Sequence, residues 1–300
     1  MKTKLTQPCK WHGGKFYLAK RIVAEFPPHL HFVETHFGMG AVLLARDPNR
    51  DWLIDADWRL KNGDGPVPAS LRGSSEVVND INGQLTNFWS VLRGESLFNE
   101  FLRMAEATPF SEQEYGSAVV SDDSDLICTD PVGCAWNFFV RYRQSRQGLG
   151  KNFATLSRNR TRRSMNEQVS SWLTAIEGLP ELHERLQRVV ILNQDACKVI
   201  KSQDGPHALY YCDPPYMHET RSGKGANSDY ECEMTPKQHA ELLLALTEIE
   251  GKFILSSYHS KLYDGHAQEH GWRLAEIEID NKASSSKVKQ KKIECLWMNF

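Results

Sequence analysis

The segment Asp213-Pro214-Pro215-Tyr216 follows the apolar run Ala208-Leu209-Tyr210-Tyr211-Cys212. That run reads as a buried strand, so a stiff turn presents a carboxylate and an aromatic ring at the strand's carboxyl end. Two consecutive prolines lock φ and remove two N–H donors, which leaves nearby carbonyls to accept hydrogen bonds from a ligand. A flat base with an exocyclic amine supplies the missing donors. Asp and Pro are also ordinary turn residues, so the same segment read alone is equally a rigid turn.

Other residues point the same way. Phe32-Val33-Glu34 is a second apolar strand, followed by Phe37-Gly38-Met39-Gly40 and the helix-like Ala41-Val42-Leu43-Leu44-Ala45. Strand, glycine turn and helix form a binding turn for a nucleoside cofactor, because glycine lets the backbone approach a ligand beyond the strands' carboxyl ends. Asp80 follows the short strand Val77-Val78 and precedes a helix with Leu85, Phe88, Trp89 and Leu92 at helical spacing. An acid placed there grips ribose hydroxyls or caps the helix. Asp55, after Trp52-Leu53-Ile54, is a rival for the first role. Asp195 follows the strand Val189-Val190-Ile191-Leu192 at another carboxyl edge, and it too can cap the segment from Ala196 to Ile200. Near the start, Lys10-Trp11-His12-Gly13-Gly14-Lys15 precedes a helical pattern from Tyr17 to Phe26. It lacks the spacing of a phosphate-binding Walker loop and reads as a turn or a flap over a ligand.

Charge is distributed unevenly. The net charge is −2, yet Arg141, Arg143, Arg146, Lys151, Arg158, Arg160, Arg162 and Arg163 fall in one stretch without an intervening Asp or Glu. Solvated faces usually interleave acids, so this stretch reads as a contact for a polyanion. A second stretch, Lys282 to Lys292, carries five lysines around Ser284-Ser285-Ser286 and reads as a turn between late strands.

The 40% apolar content of the 300 residues suffices for a core and excludes disorder of the whole chain. There is no apolar run of membrane-spanning length and no apolar segment after Met1-Lys2-Thr3-Lys4, so a cytoplasmic protein with no membrane partner is expected. Seven cysteines, none in a Cys-x-x-Cys pair, argue against a disulfide framework or a zinc cage, and reduced thiols are expected. The stretch from Asp47 to Ser75 is rich in Pro, Gly, Asp and Trp and reads as an insertion. Glu95 to Arg163 reads as mainly helical, and helices are expected around Asn166 to Ile176 and from Leu182 to Gln187. Met217 to Glu233 reads as a loop over the site. Thr235-Pro236 opens a helix to Ile249, and strands are expected at Phe253-Ser257, Trp272-Ile279 and Ile293-Asn299.

In order along the chain, Trp11 with Gly13-Gly14-Lys15, Phe32-Val33-Glu34 with its glycine turn, Asn79-Asp80-Ile81-Asn82, the basic stretch, and Asp213-Pro214-Pro215-Tyr216 together resemble the Dam-like, D12 class of adenine-specific DNA methyltransferases. The closing Glu294-Cys295-Leu296-Trp297-Met298-Asn299 is similar to that family's terminal strand. The resemblance implies an α/β, class I methyltransferase fold: a doubly wound, mostly parallel seven-stranded sheet with an antiparallel last strand and an inserted helical target-recognition lobe. It implies a catalytic domain in two parts, residues 1–94 and 188–300, with the recognition lobe at 95–187.

The implied cofactor is S-adenosylmethionine, contacted by Trp11, Lys15, Glu34, Phe37, Gly38, Gly40, Asp80, Asp195 and Asp213. The resemblance also favours Asp80 over Asp55. Catalysis is assigned to Asp213, Pro214, Pro215 and Tyr216, with no metal, and the eight basic residues are assigned to double-stranded DNA. Thr35-His36 departs from the family, which more often has Pro and an apolar residue there. A cognate restriction endonuclease is a further implied partner. Rival readings of this scaffold are methylation of cytosine N4 or of RNA adenine, and a non-catalytic nucleic-acid-binding module. A zinc deaminase needs a His-x-Glu and Pro-Cys-x-x-Cys set, and the cysteine spacing here is wrong for it.

Overall fold

A computed structural model describes residues 5–11, 13–48, 73–122, 129–217, 232–280 and 291–300. The strands are β1 (His31–Glu34), β2 (Ser75–Asn79), β3 (Thr161–Arg162), β4 (Met165–Asn166), β5 (Val189–Leu192), β6 (Ala208–Cys212), β7 (Lys252–Ser257), β8 (Arg273–Asp280) and β9 (Lys291–Met298). The helices are α1 (Ala19–Ala24), α2 (Ala41–Ala45), α3 (Gly83–Arg93), α4 (Glu95–Ala107), α5 (Glu112–Asp122), α6 (Pro131–Gln144), α7 (Glu167–Glu177), α8 (Leu179–Leu186), α9 (Ala196–Ser202), α10 (Pro236–Thr247) and α11 (Lys261–Glu269). The expected insertion, Asp55, His12, the loop beyond Met217 and the lysine-rich turn lie largely or wholly outside the described residues. No helix among the described residues is long and apolar enough to cross a membrane.

The sheet has the order β5-β2-β1-β6-β7-β9-β8. β1 runs parallel to both β2 and β6, and β6 parallel to β7. β9 runs antiparallel to both β7 and β8. The fold is therefore the doubly wound α/β architecture of class I methyltransferases that the resemblance implies. β6 is buried at every position, which is why its sequence is one unbroken apolar run rather than an alternating one. Winding reverses between β1 and β6, and in open α/β sheets ligands bind beyond the carboxyl ends at such a reversal.

The chain divides into two compact units. The first comprises Met1–Glu25, Gly38–Asp47 and Asn82–Asn193; the second comprises Phe26–Phe37, Pro48–Ile81 and Gln194–Phe300. Aromatic rings fill the first. Phe88 of α3 lies 5.2 Å from Phe138 and 6.1 Å from Phe139 of α6, and Trp172 of α7 lies 5.1 Å from Phe139. All four are fully buried. Local capping sets the helix starts: Asn82 accepts from the Leu85 N–H on α3, Asp130 from the Val132 N–H on α6, and Thr235 with Gln238 closes a capping box on α10.

Several expectations need correction. The helix expected from Tyr17 to Phe26 is reduced to α1, six residues long. Residues 145–163 are not helical; the chain there forms a short 3₁₀ turn and the β3–β4 hairpin. That hairpin turns through Arg163 and Ser164, both with positive φ (56° and 60°), a left-handed pair that the residue types do not announce. α11 was not expected, since its sequence is polar and contains Gly265. Cys134 is disulfide-bonded, so the expectation of reduced thiols fails there, whereas Cys9, Cys197, Cys212, Cys232 and Cys295 are free. One bridge needs only two cysteines brought together by the fold, which an odd count does not exclude.

In the second unit the strand ends are stitched by Asn79, which is 1% exposed. Its amide donates to the Thr35 carbonyl beyond β1 and to the Gln194 carbonyl, both at 3.0 Å, while its oxygen accepts from the Gln194 N–H at 2.9 Å. Asn79→Ala strips the buried Thr35 carbonyl and two part-buried Gln194 groups of a partner, so it lowers the unfolding free energy by about 1–3 kcal/mol; urea titration of the variant beside the parent protein measures it.

Candidate active site

Three strand ends in the second unit carry the acids singled out by their positions. Glu34 ends β1 and pairs in register with Val78 of β2 and Tyr211 of β6. Asp80 and Asp213 each lie two residues beyond those partners, so the fold gathers all three at one edge of the sheet. Backbone bonds continue the stitching: the Thr35 N–H donates to the Tyr211 carbonyl at 3.1 Å and the Phe37 N–H to the Asn79 carbonyl at 2.9 Å. Glu34 and Phe37 are buried, whereas Asp80 and Asp213 are half-buried. Asp195 is exposed and caps α9, its Oδ1 accepting from the Lys198 N–H at 3.1 Å. The capping role anticipated for it is realised.

The turn after β6 is anchored by its last residue. Tyr216 is 8% exposed, its ring centroid 4.4 Å from that of Tyr258. Its hydroxyl donates to Oε1 of Glu294 at 2.6 Å, and the Ser256 hydroxyl donates to the same oxygen at 2.6 Å. Burial, with the negative charges of Asp213 and Glu294 next in weight, holds the Tyr216 phenol well above its usual range, so it remains a donor. Glu294 is 1% exposed and sits on β9 inside an otherwise apolar run. Its part and that of Ser256 escaped sequence reading; the one available signal was a lone acid at a buried strand position. Cys212, beside the turn, is a thiol pushed up to about 12 by burial, against which its hydrogen bond to Thr35 acts in the opposite sense. It is no nucleophile in this state.

The first unit holds the other group. Gly38 has φ +50°, and a Cβ added there would lie 3.1 Å from the indole of Trp11. Trp11 packs on Tyr142 at 5.1 Å, and Trp89 Nε1 donates to the Gly38 carbonyl at 2.9 Å. Gly40, with φ 65°, takes the left-handed position at the start of α2. Lys15 is buried and its Nζ donates to the Gly13 carbonyl at 3.2 Å. Trp11 and the glycine turn are therefore neighbours.

The basic stretch splits into two kinds of side chain. Arg143 points inward, donating to the Ser171 carbonyl and, at 3.0 Å, to the Ser171 hydroxyl. Arg141 donates to the Gly150 carbonyl at 3.2 Å and lies over the Tyr142 ring. Arg163 forms a two-pronged pair with Glu177, and Arg160 lies 3.8 Å from Glu167. Arg146, Lys151, Arg158 and Arg162 are exposed, and among the described residues the side chains of Arg146, Arg158 and Arg162 make no ion pair or hydrogen bond. Lys10, Arg143 and Arg146 line a polar recess of about 290 Å³ with Gln147, Thr155 and Gln168.

Residues 63–278 match the family described as D12 class N6 adenine-specific DNA methyltransferase. The chain belongs to this family. It is thus a DNA adenine-N6 methyltransferase. The match takes in Asp80, the basic stretch, Asp195 and Asp213 to Tyr216, while Trp11, Lys15 and the glycine turn precede it. A search of curated proteins finds no match.

The methyltransferase carries a titratable group in the turn after β1. His36 is half-buried, with Nδ1 2.9 Å from the Thr35 hydroxyl. Desolvation, reinforced by the neighbouring His239 and opposed by Asp195, lowers it from 6.5 to about 4. The unfolded chain therefore binds a proton that the folded protein refuses between those two values, and stability falls as pH drops from 6.5 to about 4. His36→Gln removes this contribution, so the loss of stability across that window is smaller in the variant; urea midpoints at several pH values compare the two.

Proposed function

We propose that this methyltransferase uses S-adenosylmethionine as its methyl donor and acts on an adenine flipped out of double-stranded DNA. The observation that carries the reading is Asp213, a half-buried carboxylate at the sheet's reversal, on a turn that two prolines stiffen and the Tyr216–Glu294 hydrogen bond anchors. The chemistry of the residues fits the cofactor: the half-buried carboxylates of Asp80 and Asp213 suit hydroxyl and ammonium groups. Trp11, Lys15, Glu34, Phe37, Gly40 and Asp195 are assigned to the same cofactor from the resemblance. When bound, S-adenosylmethionine supplies a methyl carbon activated by an adjoining sulfonium.

An adenine amino group is a poor nucleophile because its lone pair is delocalised into the ring. Asp213 and the Pro214 carbonyl would accept hydrogen bonds from its two N–H groups, drawing the nitrogen toward tetrahedral geometry and freeing the lone pair to take the methyl in line; the sulfur would leave as a neutral thioether and the surplus N–H proton would pass to Asp213 or solvent. Pro215 keeps the turn stiff. Tyr216 is assigned to stack on the flipped base; its ring is 8% exposed against Tyr258, so this role needs the two rings to part, and stacking on a free face contributes about 1–3 kcal/mol. That offsets part of the unstacking cost. No metal and no covalent enzyme intermediate enters this displacement.

Residues 95–187 act as the target-recognition lobe between catalytic parts at 1–94 and 188–300. Within the lobe the exposed Arg146, Lys151, Arg158 and Arg162 contact phosphates, with Arg160 and Arg163 recruited from their surface pairs, which are weak. Arg141 and Arg143 shape the lobe from within. A cytoplasmic setting and a partner endonuclease of matching specificity complete the reading.

Asp213→Ala reduces methyl transfer from labelled S-adenosylmethionine by about a hundredfold or more while DNA affinity by fluorescence anisotropy stays near that of the parent. Near-normal turnover refutes the role of Asp213, and modified cytosine or RNA in the products refutes the acceptor. Arg158→Ala with Arg162→Ala lowers the slope of log affinity against log salt by about 2. Arg143→Ala acts instead on stability, seen as a lower urea midpoint.

A further inference from the structure

A second cluster of chemically capable side chains lies in the second unit, apart from the methyl-transfer residues. Nε2 of His259, the carboxylate of Glu276 and Sγ of Cys295 all lie within 4.8 Å of one another. The strand register explains why. Cys295 of β9 pairs with Glu276 on one side and with Ser257 on the other, and His259 follows two residues beyond Ser257 as the chain leaves β7. Directly paired residues of an antiparallel ladder project to the same face, so the thiol and the carboxylate are neighbours by construction.

The surroundings complete a first and a second layer. Nδ1 of His259 is 2.8 Å from Oδ1 of Asp264 on α11, while Nε2 is 2.8 Å from Oε1 of Glu276. An imidazole that binds a metal through one nitrogen usually donates its other N–H to a carboxylate, which fixes the ring and its tautomer. Asp264 stands where that carboxylate belongs. The side chains of His259 and Glu276 are 41% and 50% exposed, whereas Cys295 is fully buried, so a cation reaches the thiol from solvent through the other two ligands.

We propose that His259, Glu276 and Cys295 bind a thiophilic divalent cation of the zinc type, with Asp264 orienting the histidine and water in the fourth position. One nitrogen, one sulfur and one carboxylate oxygen are a borderline-soft set that suits zinc and does not suit magnesium or calcium. Binding releases to solvent any proton on the His259 nitrogen that faces Glu276, together with the Cys295 thiol proton. It joins the exit of β7, the body of β8 and β9, and through Asp264 the first turn of α11. Along β9 the side chains alternate, so the site grips the face of the strand opposite to the one from which Glu294 holds Tyr216. The inference is independent of the methyl-transfer reading, and its failure would leave that reading untouched.

The test is titration of the full, chelator-treated chain with cobalt(II), then with zinc. One equivalent of cobalt is expected to produce a thiolate-to-metal charge-transfer band in the near ultraviolet, which zinc abolishes by displacement. Cys295→Ser removes the band, and His259→Ala and Glu276→Gln, both at exposed positions, each weaken cobalt binding by about tenfold or more. A parent protein that gives no band overturns the proposal. So does a band that persists in Cys295→Ser, and if that variant does not fold, unchanged cobalt affinity in His259→Ala is decisive against it.

Discussion

A carboxylate enclosed in a protein must be satisfied by hydrogen bonds, because desolvation otherwise disfavours it by several kcal/mol. Glu294 meets that requirement by taking the hydroxyls of Tyr216 and Ser256 onto one oxygen. The constraint is mutual. Ser256 belongs to β7 and Glu294 to β9, so Tyr216 is referred to two strands that are themselves paired, Ser256 against Leu296. The turn that leaves β6 thereby acquires a fixed point at Tyr216. Asp213 and the prolines lie between that anchor and the fully buried strand that precedes them.

The reversal of winding between β1 and β6 supplies the second half of the arrangement. Two parallel neighbours whose connections depart in opposite directions leave their carboxyl ends uncovered. Asn79 then ties the end of β2 to Thr35 and Gln194, so the acids that follow these strands are carried on stitched backbone. Hydrophobic burial makes the sheet, and a handful of polar bonds at its edge decide where the chemistry-bearing groups stand.

Legibility in the sequence followed the kind of force at work. β6 was readable at its observed bounds because a strand buried at every position appears as a bare apolar run; β5 was readable as an apolar run too, although it is an edge strand with Val190 exposed. α10 announced itself through Thr235-Pro236. Asp213 directly follows the run of β6, and Asp80 follows Val77-Val78 with Asn79 between. The β3–β4 hairpin was not, because Arg163-Ser164 takes the place where Asn-Gly would be expected. Nor did the charge stretch reveal that Arg143 turns inward, a matter of which face of α6 meets α7. Glu294 and the His259, Glu276 and Cys295 group escaped for a common reason. Each depends on β9 lying between β7 and β8, a register that spacing along the chain does not encode.

The bond between Thr35 and the Tyr211 carbonyl joins positions 176 residues apart. The polymer physics of such a long intervening segment is forgiving, since doubling a flexible loop's length adds only about 0.6 kcal/mol to the entropy of closure. Added length in the helical stretch between β2 and β5 therefore costs little in whether β1 and β6 meet.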